Sequence, residues 1–405
     1  MNILVFNCGS SSLKYKVLSL PREIELAGGE AERIGPKTSR LSRIIHRENG
    51  REQFLEAEMR NHQEAFERIY TLLQEKKNLM PDAIGHRFVH GGSIFREHIL
   101  LKAENIQDLE KIRDLAKIHN PPAISLIKAC MKIAPEIPEV LVFDTAYHST
   151  IPDYARMYAI PEKERKLLGA RKYGFHGTSH AYVAGEAAKM LGKTLPELNA
   201  VSCHLGSGGA SLCAIKEGQS IDNTMGFSPL QGLVMSTRSG DMDPCITLQL
   251  LRENRWDADM VEKILNNQSG ILGMSGFSAD IRDVLTRNHF KTRGIPTPAE
   301  IYLWRIRKYL GAYLCVAGPS DAVIFTDTIG ETVPEVREYV CADMEIFGIR
   351  LDHHKNKTTV SGNQDVSSAE SPVRVLIIST NEELAIARTT YELAGNGKKT
   401  PWEES

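Results

Sequence analysis

The chain has 405 residues, enough for about two or three compact domains with sizeable hydrophobic cores. Hydrophobic residues make up 42% and charged residues 25% of the composition, which excludes a largely disordered protein. Lysine and arginine total 49 against 51 acidic residues, so the formal net charge of -2 provides no broad positive surface for nucleic acid. Any anion-binding site must therefore be local.

The cysteine pattern and the N-terminal segment indicate the cellular compartment of the protein. The seven cysteines are scattered without a CxxC spacing, which argues against paired zinc ligands or a redox motif and fits a reducing compartment. The first twenty residues alternate like a strand and lack the apolar stretch of a signal peptide. No segment has the roughly 18 apolar residues of a membrane span. We expect a cytoplasmic protein with neither a membrane nor a nucleic-acid partner.

The N-terminal segment predicts a β-hairpin with small residues in its turn. Residues 2–18 show a strand, a turn at Gly9 to Ser12 and a second alternating strand. In NCGSSSLK, backbone N–H groups, serine hydroxyls and Lys14 could together bind a phosphate. The chain has no GxxxxGK[ST] loop, and a serine-rich hairpin is more often an ordinary tight turn, so both interpretations stay open.

The pattern of strands and helices predicts an α/β protein. A similar hairpin recurs at residues 200–215, where an apolar strand is followed by HLGSGGAS and a second apolar stretch. Apolar runs that end in polar residues, typical of buried strands with functional carboxyl ends, occur at 140–143, 322–325 and 373–378. Helices are predicted at 181–191 and 383–393. The recurring hairpin predicts two related α/β domains that face one another across a cleft.

The segment GHRFVHGGSIF carries an arginine between two histidines in a β-like run. The planar guanidinium of Arg87 could hold a carboxylate through two parallel hydrogen bonds, although a surface ion pair is the commoner fate of an isolated arginine. The HxxxH spacing of His86 and His90 would suggest zinc on a helix, which the flanking glycines disfavour.

Three further polar positions suit anion chemistry. Asp144 follows a buried strand, and His176 comes just before a helix, whose first N–H groups could also bind an anion. Arg238, in MSTRSGDMDP, could stabilise phosphoryl oxygens during transfer. The alternatives are a packed or capping histidine and a solvated salt-bridge cluster, and His180 is predicted to be structural.

Taken together, these segments resemble the acetate kinase family in their order along the chain. The matching segments are NCGSSSLK, GHRFVHGG, IHNPP, FDTAYHSTIP, YGFHGTSH, HLGSG, GFSPL, TRSGDMDP, SADIRD and TNEELAIA. The match spans nearly the whole sequence, and YGFHGTSH and the Arg238 segment are highly specific to this family and its propionate- and butyrate-using relatives.

The resemblance implies an actin-like α/β fold, shared with sugar kinases, with two duplicated domains around a cleft. Residues 1–149 with 380–405 would form domain one, and 150–379 the donor-side domain two. Family members are typically homodimers that use Mg²⁺, with Mn²⁺ an alternative, to interconvert ATP and acetate with ADP and acetyl phosphate. Since a carboxylate is already ionised near neutral pH, the obstacle is repulsion between two anions, and we expect direct in-line transfer without a phosphoenzyme.

The matched motifs also imply residue roles. Catalysis is expected from Asp144, His176 and Arg238, and carboxylate binding from Arg87. The apolar pocket for the acyl methyl group would consist of Val89, Ile118, Phe175 and Pro229. The metal positions would be Asn7 and Glu382, and His119 would support the cluster. The donor would contact Ser10, Ser12, Lys14, His204, Leu205, Gly206, Ser207, Gly208, Asp280, Ile281, Arg282, Thr328, Ile329, Gly330, Glu331 and Thr332.

The donor side departs from the family pattern. Ser207 stands where asparagine is usual, and its turn is one residue longer. FTDTIGET places Asp327, Thr328 and Thr332 at positions that are normally small, glycine and asparagine. A β-branched Thr328 could crowd adenosine, and Asp327 adds negative charge. These departures resemble a pyrophosphate-using branch of the family, so pyrophosphate or phosphate is the alternative donor. ATP is the donor expected first, because Gly330 and Glu331 of the usual loop are retained.

Functions of other classes are less well supported. A non-catalytic, nucleotide-sensing module of actin-like fold would not need the residues expected at the acyl end. A dinucleotide-binding oxidoreductase is disfavoured because no GxGxxG follows a predicted strand and opens a helix. The preferred acyl chain, acetate, propionate or butyrate, and the physiological direction stay open.

Overall fold

A computed structural model of the chain describes residues 1–35, 41–253, 256–286, 297–358 and 362–395. These residues form two compact units, one comprising Met1–Ala146 with the segment from Asn381 onward, the other Tyr147–Thr380. Each unit has its own mixed β-sheet. Within the described ranges, every helix is too short or too polar to cross a membrane.

The first unit contains eight strands and four α-helices in its described residues, numbered in chain order. Its strands are β1 (Asn2–Cys8), β2 (Ser12–Ser19), β3 (Ile24–Glu32), β4 (Arg43–Glu48), β5 (Arg51–Glu56), β6 (Ala83–Phe88), β7 (Ile99–Leu100) and β8 (Glu139–Phe143). Its helices are α1 (His62–Gln74), α2 (Asn105–Lys111), α3 (Asn120–Ile133) and, from the C-terminal segment, α15 (Glu382–Ala394). The sheet order is β5-β4-β3-β2-β1-β6-β8-β7.

The central strands of this sheet are apolar on both faces because helices cover both. Leu4 and Phe6 of β1 pack with residues of α1 and α3, whereas Ile3 and Val5 pack with Ile386 of α15. Successive side chains of a strand point to opposite faces, so β1 reads as a continuous apolar run. The polar Asn7 comes near its end.

The second unit contains six strands and eleven α-helices in its described residues. Its strands are β9 (Ala200–Leu205), β10 (Ala210–Lys216), β11 (Gln219–Asn223), β12 (Ala322–Thr326), β13 (Gln364–Asp365) and β14 (Arg374–Ile377). Its helices are α4 (Asp153–Arg156), α5 (Glu162–Leu168), α6 (Gly177–Met190), α7 (Pro244–Glu253), α8 (Ala258–Asn267), α9 (Gly270–Ser275), α10 (Ile281–Thr286), α11 (Pro298–Ala317), α12 (Asp327–Thr332), α13 (Pro334–Cys341) and α14 (His353–Lys357). The sheet order is β11-β10-β9-β12-β14-β13.

The two sheets share the same central topology. In the first, β3, β2 and β1 form an antiparallel meander that continues into the parallel strands β6 and β8. In the second, β11, β10 and β9 form the meander, and β12 and β14 continue it in parallel. The hairpin that recurs in the sequence thus occupies the same place in both sheets, as a duplicated α/β organisation requires.

Candidate active site

An ion-pair cluster around one buried carboxylate lies at the carboxyl ends of the central strands of the first unit. Arg87, near the end of β6, donates from Nε and Nη2 to Asp144 Oδ2 at 3.0 and 2.8 Å. Its Nη1 donates to Asn7 Oδ1 at 3.3 Å and lies 3.5 Å from Glu382 Oε2. Asn381 caps α15 by accepting from its third residue, which fixes the first turn that carries Glu382. Four separated parts of the chain therefore meet around one guanidinium.

The electrostatics of this cluster favour a charged arginine. Asp144 is only 1% exposed. Burial by itself lowers the pKa of Arg87, but the carboxylates of Asp144 and Glu382 outweigh burial and raise the pKa above its ordinary value. The amide and carboxylate oxygens of Asn7 and Glu382 have the chemistry that a hard divalent cation prefers. The cluster combines a fixed cation with oxygen ligands, which suits a small anion bound beside a metal ion.

The two histidines of the HxxxH motif do not share a site. His86 lies on a strand in the apolar core, stacks on Phe6, and places Nε2 2.7 Å from Glu139 Oε2. With Cys130, this pair is the only group of potential metal ligands within mutual reach among the described residues. A 2.7 Å separation is a hydrogen bond, shorter than the spacing of two ligands on one zinc ion at about 2.0–2.2 Å bond lengths. The strand geometry agrees with the expectation against zinc.

The N-terminal hairpin has a tight turn, and its strand pairing relates Lys14 to Asn7 of the Arg87 cluster. Gly9 N donates to Ser12 O at 2.9 Å, and Asn7 pairs directly with Lys14 across the hairpin. Directly paired residues point to the same face of a sheet, so the exposed Lys14 shares the face of Asn7. Ser10 is exposed at the turn and Ser12 begins β2.

The four residues expected to form the acyl pocket are divided between the units. Val89 directly follows β6 and is half-buried, whereas Ile118 is 61% exposed in the turn before α3. His119, expected to support the cluster, immediately precedes that helix. In the second unit Phe175 is buried and Pro229 half-buried. Their joint role as a pocket stays a prediction.

His176 holds a strained backbone position just before α6. Its φ of +58° lies in the left-handed region, which costs energy for a residue with a side chain and is common at functional sites. The preceding carbonyl, that of Phe175, accepts hydrogen bonds from His148 Nε2 at 2.9 Å and Asn223 Nδ2 at 3.3 Å. These contacts hold His176 in place. Neither His148 nor Asn223 was predicted as a site residue.

His176 and Arg238 face a common space beside a glycine of the HLGSGGAS turn. A Cβ placed on Gly209 would lie 3.4 Å from Arg238 Nη1 and 3.5 Å from His176 Nε2. Among the described residues Arg238 makes no ion pair, and burial lowers its pKa below the ordinary value. Asp241, three residues on, instead accepts from Gly232 N and from Tyr309. The salt-bridge alternative for Arg238 is therefore wrong, and its cation is available to an anionic ligand.

The departures on the donor side form one connected feature. Asp327 has a φ of +63° and places Oδ2 3.0 Å from His204 Nε2. Its Oδ1 accepts from Thr328 Oγ1 at 2.9 Å, so the threonine hydroxyl is turned toward the carboxylate. Partial burial raises the pKa of Asp327, but the hydrogen bond and charge of His204, together with the hydrogen bonds from Thr328, outweigh burial and hold the pKa below its ordinary value. A Cβ on Gly206 would lie only 2.3 Å from Oδ2, so a negative charge lies against the glycine-rich turn.

Residues from three predicted donor segments line one small pocket in the second unit. It is lined by Gly206, Ser207, Asp280, Ile281 and Ile329, together with Met235, Ser236, Ile271, Ala279 and Tyr302. Of the other expected donor residues, Leu205 is buried in β9 and Arg282 forms an ion pair with Asp280. The carbonyls of Gly330 and Glu331 accept hydrogen bonds from Arg337. Thr332 donates to the carbonyl of Thr328. Gly208 has open space on its side-chain side.

Known proteins resemble this chain in both sequence and fold. The acetokinase family matches residues 2–388 of the chain. An acetate kinase from Clostridium novyi is 44% identical over 399 residues, covering 97% of this chain and 98% of that protein. Crystal structures of an acetate kinase from Porphyromonas gingivalis and a propionate kinase from Francisella tularensis superpose with TM-scores of 0.88 and 0.87. Each is 36% identical and covers 97% of this chain and 99% of its own. The predicted fold is confirmed, and the chain belongs to the acetokinase family.

Proposed function

We propose that this protein is an acetate kinase that reversibly transfers a phosphoryl group between ATP and acetate, giving ADP and acetyl phosphate. The observation that carries the proposal is the position of His176 and Arg238, which face one space beside Gly209. Arg238 has no carboxylate partner there among the described residues, so its charge matches an incoming phosphoryl group. The family assignment supports the same chemistry.

In the proposed mechanism Arg87 binds the acetate carboxylate and Asp144 keeps that guanidinium in position. One carboxylate oxygen attacks the γ-phosphorus in line, the new O–P bond forms as the bond to the β-phosphate oxygen breaks, and ADP leaves with that electron pair. No proton needs to be removed from the nucleophile. Arg238 and a hydrogen bond from His176 stabilise the equatorial oxygens as charge moves through the transition state.

A divalent cation, Mg²⁺ with Mn²⁺ as the alternative, would be held near Asn7 and Glu382. The oxygen chemistry of these side chains, gathered within 3.5 Å of Arg87, fits such an ion. When bound, the ion would neutralise part of the phosphate charge. Replacement of Asn7 or Glu382 is expected to raise the Mg²⁺ concentration needed for half-maximal activity.

Hydroxamate trapping of acetyl phosphate tests the proposed activity. Protein, acetate, Mg²⁺ and ATP should give acetyl hydroxamate, and rapid quench should show no phosphorylated protein that forms and decays at the rate of turnover. Failure of hydroxamate formation with every plausible donor would favour the non-catalytic sensor. Propionate and butyrate belong in the same assay, because one methylene changes discrimination by only about 1–3 kcal/mol.

A second candidate donor, pyrophosphate or phosphate, is favoured by one observation. Where the family pattern has a small residue and a glycine, Thr328 Oγ1 donates to Asp327 Oδ1 at 2.9 Å, and these larger side chains would crowd adenosine but not a donor that lacks a nucleoside. Acetyl phosphate supplied with either ADP or phosphate separates the donors. Formation of ATP supports the first proposal, and formation of pyrophosphate alone would replace ATP with the shorter donor.

We also infer a cytoplasmic homodimer from the family resemblance. All seven cysteines are free thiols in the structure, as expected in a reducing compartment. Sedimentation equilibrium should give twice the chain mass of 45.1 kDa. A monomer mass at micromolar concentration would contradict the dimer.

A further inference from the structure

A hydrogen-bonded chain of alternating serines and histidines runs beneath His176. Ser202 Oγ lies 2.9 Å from His180 Nδ1, and His180 Nε2 lies 2.9 Å from Ser211 Oγ. Ser211 Oγ lies 2.9 Å from His176 Nδ1. Ser202, His180 and Ser211 are completely buried. Ordered water therefore has little access to these three side chains, and their hydrogen bonds with one another and with His176 constrain where the protons lie.

The chain arises from strand register and one helix. Ser211 of β10 pairs with His204 of β9, and Ser202 is two residues before His204, so all three side chains point to the same face of the sheet. Helix α6 contributes His180 and is preceded by His176. The hydrogen-bonded chain thus lies between the strand pair β9–β10 and helix α6, which His176 immediately precedes.

Counting protons leaves two self-consistent arrangements. In the first, Ser202 donates to His180 Nδ1, His180 Nε2–H donates to Ser211, and Ser211 donates to His176 Nδ1. In the second every bond is reversed, and the Ser202 hydroxyl proton needs another acceptor. The second arrangement is costly, because Ser202 Oγ has no other partner within the described part of the chain and an unpaired buried donor costs about 1–3 kcal/mol.

The environment of His180 agrees with this count. Burial, and then the neighbouring His148 and His204, lower the pKa of His180 well below its ordinary value, so the ring is neutral and carries one N–H. Even if His180 were doubly protonated, Ser211 would still accept from it and donate to His176. Both protonation states therefore place the proton of a neutral His176 on Nε2.

We propose that Ser211, supported by His180 and Ser202, is a positioning residue that fixes His176 as the Nε2–H tautomer. The Nε2 atom faces the space beside Gly209 that Arg238 also faces, so the fixed tautomer presents an N–H donor rather than a lone pair to an anion there. The functional part of this inference rests on the proposed role of His176 in phosphoryl transfer. The tautomer itself does not depend on that role.

Nitrogen NMR of the wild-type protein tests the tautomer without a mutation that affects folding. In protein labelled with ¹⁵N-histidine, long-range ¹H–¹⁵N correlations distinguish the two neutral forms, and loss of cross-peaks in His176→Gln assigns the residue. We expect the Nε2–H pattern for both His176 and His180. An Nδ1–H pattern at His176 would overturn the proposal.

Ser211→Ala tests the effect on catalysis. Removing one transition-state donor costs about 10²–10³ in turnover, and loss of its orientation should cost less, so kcat should fall about tenfold with little change in KM for acetate. Ser211→Thr, which keeps the hydroxyl, should retain the wild-type tautomer signals. Wild-type turnover in correctly folded Ser211→Ala would overturn the positioning role.

Ser220→Ala is the matched control. Ser220 is also fully buried and bonded to a histidine, His148 Nδ1 at 2.8 Å, but that ring is fixed independently by the Phe175 carbonyl. The Ser220→Ala variant should leave the ¹⁵N signals of His176 unchanged. In a His176→Ala background, Ser211→Ala should cause no further loss of turnover. If His176→Ala alone keeps full activity, the proposed catalytic role fails, while the NMR result still decides the tautomer.

Discussion

The two arginines proposed to meet the substrates have opposite surroundings. In the first unit, the Arg87 guanidinium contacts Asp144, Asn7 and Glu382. In the second unit, Arg238 is half-buried, with Nη1 3.7 Å from the Met235 thioether, and has no carboxylate partner in the described residues. Carboxylates of the protein thus compensate the charge of Arg87, whereas we propose that the phosphoryl group of the substrate compensates that of Arg238. We infer that Arg87 contributes to both stability and substrate binding, whereas Arg238 contributes to chemistry at some expense of stability.

The largest expected effect is on turnover in Arg238→Ala. If the guanidinium contact strengthens as charge develops on the phosphoryl oxygens, kcat should fall about 10³-fold or more, with a modest change in KM for the donor. Steady-state kinetics in both directions measure this. Arg238→Lys keeps the charge but loses the planar fork and should recover only part of the rate. Unchanged turnover in Arg238→Ala would remove this residue from the mechanism.

The second expected effect is a difference in the free energy of unfolding between variants of Arg87 and Arg238. Arg87→Met removes the countercharge and the two hydrogen bonds that Arg87 gives the buried Asp144 carboxylate, which should lower the free energy of unfolding by about 3–5 kcal/mol. Arg238→Met is the matched control and should change it by less than about 1 kcal/mol, because no buried carboxylate loses a partner. Urea unfolding followed by circular dichroism measures both. Equal destabilisation of the two variants would contradict the comparison.

The third effect concerns donor choice. Asp327→Asn removes the negative charge near Gly206 while asparagine tolerates the positive φ, so KM for ATP should fall several-fold, up to about tenfold. Thr328→Gly should act in the same direction if the threonine crowds adenosine. Asp343→Asn is the control, since Asp343 also has a positive φ but a 92% exposed side chain. A rise in KM for ATP in Asp327→Asn would show that the carboxylate assists ATP binding and would contradict the expected repulsion.

The smallest effect is the pH dependence of stability from buried histidines. The pKa of His180 in the second unit is lowered well below its ordinary value by burial, and burial lowers that of His98 in the first unit to about 4. The unfolded chain therefore takes up protons near pH 6.5 that the native protein does not. Stability should fall as pH decreases below about 6.5, by at most about 1.4 kcal/mol per pH unit for each such histidine.

Urea unfolding at pH 7.5 and 5.5 measures this difference. His180→Gln and His98→Gln should each reduce the loss between the two pH values, whatever their effect on stability at pH 7.5. The exposed His354→Gln controls for loss of one histidine. A loss of stability that neither buried variant reduces would assign the acid sensitivity to other groups.

Much of the fold and of the Arg87 cluster could be predicted from the sequence. The hairpins and buried strands follow from local alternation, and β8 and β12 match the predicted runs within one residue at each end. Asn7 and Arg87 lie near the ends of β1 and β6, and Asp144 directly follows β8. The carboxyl ends of these adjacent parallel strands meet at one edge of the sheet, so the proximity of the three residues follows from topology. Helix α6 begins four residues before the predicted segment, at Gly177, because His176 adopts the left-handed conformation that immediately precedes it.

The remaining features depend on register that no local pattern encodes. The contact between Ser211 and His176 requires the exact pairing of β10 with β9 beneath α6. The Asp327 to His204 pair joins residues 123 positions apart and was visible in the sequence only as an unusual negative charge. A buried neighbour of the functional groups such as Asn223 lies in no motif that separates it from ordinary core residues.

Gly209 is a position where folding and function impose different requirements. Its φ is not in the region reserved for glycine, and a methyl group there would meet only ordinary contacts of 3.4 and 3.5 Å. Alanine is therefore compatible with the native backbone, but its methyl group would occupy the space beside His176 and Arg238 in which we propose that the phosphoryl group binds. Selection for a stable fold alone would accept several small residues at this point. The proposed mechanism requires that space to stay open, which accounts for a glycine at a position where the backbone alone would accept alanine.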